Sequence, residues 1–163
     1  MKFVVGFILG IVVLLAAGYS FVAMGGVSMM TSAAPLPFEQ RIAKLALHAN
    51  LRKAADLRDP LPLNDENLTA GARVYRDSCA VCHGTPGRHS DIAAGMFPQP
   101  PQLFTDPVTD DAEGITYWKV THGIRLSGMP AFTGTLSDTQ RWQVTMLLAH
   151  ADKLSPGVRA VLQ

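Results

Sequence analysis

The chain has 163 residues, room for about one domain, and only 17% of them are charged. Its net charge is +1, with 14 basic against 13 acidic residues, so no basic excess marks it for nucleic acid or for a strongly anionic partner. Two cysteines three positions apart, Cys79 and Cys82, are too few and too close to form a disulfide framework and need a local explanation.

Much of the apolarity is concentrated at the start. From Phe3 to Met24 there is no charge, and Leu, Ile, Val, Phe, Gly and Ala dominate. As a helix this run would be about 33 Å long at 1.5 Å per residue, enough for a hydrocarbon core of roughly 30 Å. It is longer than the apolar part of a secretory signal, and no clean small-x-small cleavage site follows it. Ala16-Ala17-Gly18 and Ser32-Ala33-Ala34 are the nearest approximations, the second followed by Pro35. We therefore expect residues 1–24 to be a retained transmembrane anchor. Lys2 precedes the span and no charge follows until Glu39, which places the N-terminus in the cytoplasm and the rest outside. In a bacterium that is a single pass through the inner membrane, with the remainder periplasmic. Gly6 and Gly10 form a GxxxG within the span, a pattern that suits helix packing in a membrane complex.

Residues 25–62 read as a linker followed by an amphipathic helix. Gly25, Gly26, Ser28, Pro35 and Pro37 keep the linker irregular. The helix is expected from Phe38 to about Arg58. Phe38, Ile42, Leu45 and Ala49 make one apolar stripe, and Leu47, Leu51 and Ala54 an adjoining one. Such a helix packs on its own domain, or docks on a partner or a membrane surface. Asp59-Pro60-Leu61-Pro62 ends it.

Residues 63–163 form the remaining domain. A helix is expected from Asp65 to Cys79 with Asn64 as its cap. Residues 84–110 are loop, since Gly84, Pro86, Gly87, Gly95, Pro98, Pro100, Pro101 and Pro107 forbid long regular structure. A shorter helix spans about Ala112–Thr121. The last begins at Leu136-Ser137, where Ser137 and Gln140 make a capping-box pair, and runs until Pro156-Gly157 stops it. No stretch alternates with period 2, so the fold class is all-α.

Cys79-Ala80-Val81-Cys82-His83 is C-x-x-C-H, the attachment sequence for a c-type haem. Two thiols at a helix end reach the two vinyl groups on one porphyrin edge, and His83 follows as an axial imidazole for the iron. A zinc site would need a second ligand pair, and only His89 is near; a thioredoxin-like motif would need a βαβ setting. The expected cofactor is one covalent haem c with its iron. For the sixth ligand the best candidate is Met129, in Leu126-Ser127-Gly128-Met129-Pro130, where glycine allows close approach and proline stiffens the loop. Met96 and His122 are the alternatives. A thioether ligand would close the iron and raise its potential.

The run Gly71–Gly84 followed by Gly128-Met129-Pro130 resembles a class I monohaem cytochrome c of the membrane-anchored bacterial kind, over roughly residues 67–152. That resemblance implies a class I cytochrome c fold preceded by a transmembrane helix and a linker helix. It implies that Gly71 and Tyr75 cross the C-terminal helix and that Trp142 is that helix's aromatic. Leu147 stands where a second aromatic is common. It also implies that Pro101 lies by the proximal imidazole, its carbonyl accepting from His83, and that Trp118 walls the macrocycle. The function expected is one-electron carriage between redox partner proteins, without substrate chemistry. The alternatives are a haem subunit of a membrane oxidoreductase complex or an open-iron enzyme.

Overall fold

Asn64 opens the longest helix of the haem-motif region by accepting, through Oδ1, the backbone N–H of Asn67 at 2.9 Å. This satisfies one of the orphan donors of the first turn. In the computed structural model, which describes residues 2–106 and 108–163, the helices run in the order α1 (Lys2–Ala23), α2 (Glu39–Leu51), α3 (Asp65–Ser78), α4 (Ala80–His83), α5 (Glu113–His122), α6 (Asp138–Ala149) and α7 (Pro156–Val161). Pro107, one of the prolines expected to keep the long loop irregular, lies outside the described residues. A 3₁₀ turn, Ala93–Gly95, interrupts that loop. Among the described residues there is no strand, only an isolated bridge between Thr85 and Arg88.

The chain divides into two compact units, the first ending at Glu39 and the second running Gln40–Gln163. In the first, α1 is long and apolar enough to cross a membrane. It buries none of its residues. The second unit holds the haem motif and also most of α2.

Its core is the crossing of α3 over α6, with α5 and α7 completing the layer. Leu68, Ala72, Tyr75, Val144, Leu147, Val158 and Leu162 are buried there. Gly71 stands where the two helices meet. A Cβ on it would overlap the carbonyl oxygen of Gln143, so only glycine permits this approach. Gly71→Ala should therefore cost about 1–3 kcal/mol, the range for overpacking a tight contact, and thermal unfolding of the haem-loaded protein checks it. Trp142 of α6 is buried and stacks on Tyr117 of α5 at 3.9 Å between ring centroids. The Tyr117 hydroxyl donates to Asp138 Oδ1 at 2.5 Å, and Arg141 Nη2 donates to the same oxygen at 2.8 Å, tying α5 to the start of α6.

The capping box is present as expected: Gln140 N donates to Ser137 Oγ and Ser137 N to Gln140 Oε1. Two boundaries differ from expectation. The helix expected over 38–58 stops at Leu51; Phe38 has φ +67° and cannot be its first residue, and residues 52–56 wind into turns. The last long helix ends at Ala149, and Pro156 opens α7 instead of stopping α6. Proline suits the first turn of a helix, where its missing N–H is not needed, and Ser155 caps that turn by accepting from Val158 N.

Candidate functional site

The C-x-x-C-H segment begins where α3 ends. Cys79 N still donates to Tyr75 O at 2.8 Å, and the chain then re-enters one turn of helix, α4. Cys79 is thus the last cap of α3 and the first of α4. Both cysteines are half-buried and unbridged. Burial, aided by the nearby Cys82, pushes the Cys79 thiol up to about 12.

His83 closes α4. Its Nδ1 lies 2.8 Å from the carbonyl oxygen of Pro101. A carbonyl accepts only, so Nδ1 carries the hydrogen and Nε2 keeps its lone pair. Burial pulls the His83 pKa down while the Pro101 carbonyl opposes it, so the neutral imidazole is the form held near neutral pH. A neutral imidazole with a free Nε2, oriented through its other nitrogen, fits an axial ligand to haem iron.

The residues around it fix the loop. Tyr75, fully buried in α3, donates its hydroxyl to Gly84 O at 2.8 Å, and burial pushes its pKa well up. Gly84 has φ +69°, and a Cβ there would run into Gln102 and the Arg88 carbonyl. Gln102 accepts from Ser90 N at 3.1 Å through Oε1 and donates to Cys82 O at 3.4 Å through Nε2. Ser90 Oγ donates to Val81 O at 2.5 Å. Gln102, Ser90 and the Tyr75 hydroxyl are thus supports that the sequence did not single out. Their one signal was that Gln102 adjoins Pro101.

Met129 lies on the loop between α5 and α6, partly buried against the core. Its carbonyl accepts from Ile124 N at 3.2 Å, and its N–H donates to Ser127 Oγ at 3.2 Å. The loop closes on itself at Gly123, φ +66°, where a Cβ would press into the backbone of residues 129–131. The Met96 side chain sits against Gly128, filling the place a Cβ would take. Gly128 therefore makes room for a second methionine, a use the sequence had not suggested. Trp118 is half-buried on α5, its ring 5.0 Å from that of His122. The described contacts thus join His83 with Pro101, Met96 with the Met129 loop, and Trp118 with His122.

Residues 66–146 match the family described as cytochrome c oxidase, cbb3-type, subunit III. No curated protein matches the chain. Among solved structures it is similar to a chain of the reducing HAO-like protein complex of Kuenenia stuttgartiensis, with 25% identity and a TM-score of 0.47. That likeness covers 58% of this chain and 49% of the other, so the chain spans about half the length of that relative. The attachment motif, the oriented imidazole and the family match agree: this is a c-type cytochrome, an electron-transfer protein that carries haem c covalently.

Proposed function

We propose that the chain is a one-electron carrier at the periplasmic face of a bacterial inner membrane, with one haem c ligated by His83 and Met129. Residues 1–24 are its anchor, 25–62 its linker and amphipathic helix, and 63–163 its haem domain. The observation that carries the reading is the 2.8 Å contact from His83 Nδ1 to Pro101 O, because it leaves Nε2 as the only nitrogen able to ligate.

The haem supplies a ferric–ferrous couple that exchanges one electron with redox partner proteins. The chain's own part is to hold and tune it. Cys79 and Cys82 provide the two thioether attachments from one helical turn. His83 is aimed by Pro101 and braced by Tyr75 and Gln102 through the carbonyls around it. Met129, on a loop tied by Ser127 and closed at Gly123, supplies the soft sixth ligand that favours the reduced state. Trp118, on α5, contributes an apolar wall that excludes water. A spectroelectrochemical titration should give one reversible transition with a one-electron slope of about 59 mV per decade. Several transitions, or none, would contradict a single closed site.

A second reading is favoured by a specific finding. The family matched over residues 66–146 is described as a subunit of an oxidase, so the chain also suits a place as the haem c subunit of a membrane oxidoreductase complex. Proteins that co-purify with the detergent-solubilised chain separate the two.

The anchor makes its own prediction. N-terminal sequencing or intact mass of protein from its native host should show that residues 1–24 are retained. A mature start near Tyr19 or Pro35 would show that the apolar helix is removed.

A further inference from the structure

The helix α2 carries apolar residues on two opposite faces, and the domain uses only one of them. At about 100° per residue, Leu47 and Leu51 project about 180° away from Ile42, Leu45 and Ala49. Leu51 and the following Ala54 are buried, and Leu47 is half-buried. The chain that continues from this side meets α5 just past the helix end: a Cβ on Gly114 would overlap the Ala54 carbonyl and crowd Leu57. On the other side, Ile42 and Leu45 are each 67% exposed, and Ala49 is exposed between them. A helix fully explained by packing on its own domain would not expose that stripe.

The charges beside the stripe indicate what covers it. Arg41 lies along one edge of it and Arg52 follows on that side just past the helix end, both exposed. Residues 39–58 hold five of the chain's fourteen basic residues and two of its thirteen acidic ones, although the whole chain is nearly balanced. An apolar stripe edged by long cationic side chains is the pattern of a helix lying in the interface of a membrane containing anionic lipid. The helix α1 supplies that membrane. Only residues 24–38 separate α1 from α2, a tether of at most about 54 Å at 3.3–3.6 Å per residue.

We infer that α2 is an interfacial helix whose Ile42–Leu45–Ala49 face seats in the headgroup region of an anionic bilayer. This rests on the anchor reading of α1. Because the turn that follows α2 packs through Ala54 and Leu57 against α5, which also carries Trp118, seating α2 sets the orientation of the haem domain to the membrane. A partner then meets a domain held in a restricted pose.

The haem-loaded full chain tests this, since its native cysteines are consumed by thioether bonds. Spin labels are placed at Leu45→Cys and, on an exposed side away from the stripe, at Ala43→Cys. Each protein is reconstituted into phosphatidylcholine vesicles with and without phosphatidylglycerol. Collision with a water-soluble nickel chelate and with oxygen is measured. The expected result is a several-fold loss of nickel access at position 45 in phosphatidylglycerol vesicles, with position 43 still aqueous. Reversing the charges with Arg41→Glu and Arg52→Glu should return position 45 to water. If the protein stays with the vesicles after an alkaline wash but position 45 remains as wet as position 43, the inference is overturned and the anchor stands. If the wash strips the protein, both fall. Protection of position 45 that needs native membrane proteins, and is absent in pure lipid, overturns the bilayer in favour of a protein partner.

Discussion

Replacing Cys79 and Cys82 together by alanine should abolish covalent haem, so that acidified acetone removes from the variant all the haem it holds and from wild type none. The expectation follows from where the thiols stand. Cys79 ends α3 and Cys82 lies one turn on, in α4, so the pair presents two sulfurs from one rigid helix end. Single replacements should keep one thioether link and a shifted spectrum. His83→Ala should damage the site more than replacement of His48, His89, His122 or His150. It removes the one imidazole that a backbone carbonyl orients in this motif and leaves the Pro101 carbonyl without that donor. Free haem released by acidified acetone from matured wild-type protein would refute the attachment.

The second large effect belongs to Met129. Met129→Ala should abolish the weak near-infrared band of methionine-ligated ferric haem, open the iron to small ligands and lower the reduction potential. The loop itself should survive. Its ties run from Ile124 N to the residue 129 carbonyl and from the residue 129 N–H to Ser127 Oγ, both independent of the side chain removed. Met96→Ala is the discriminating control. Its methyl packs on Gly128, so its loss loosens one contact of the loop but leaves the ligand sulfur in place and the band unchanged. Loss of the band in Met96→Ala and its survival in Met129→Ala would exchange the roles of the two methionines.

What was legible in the sequence was local chemistry. Asn64, Ser137 and Gln140 announce helix starts because their hydrogen bonds close within three residues. The C-x-x-C-H motif is likewise tied to chemistry that few residue types allow, whereas the proline by its imidazole and the glycine at the helix crossing followed from the family resemblance. The ends of helices were less legible. Leu51 was read through because hydrophobic spacing continues to Ala54, yet the chain winds into turns there and still buries Ala54. Pro156 was read as a stop because proline breaks helix interiors, and it proved to be a start. The supports of the attachment loop were not legible at all. Gln102 reaches Cys82 across twenty positions, and no local pattern encodes that contact. The stripes of α2, adjoining in the sequence reading, lie on opposite faces at 100° per residue, and burial separates them: Leu51 is buried while Ile42 and Leu45 are exposed.

The central claim, a carrier with a closed His/Met-ligated iron, is tested most directly by exposing the reduced wild-type protein to carbon monoxide. With the Met129 sulfur in place the spectrum should stay that of six-coordinate, low-spin ferrous haem, unchanged by the gas. Ready binding of carbon monoxide by the wild type, together with indifference of its spectrum to Met129→Ala, would contradict it and leave an open iron suited to an enzyme.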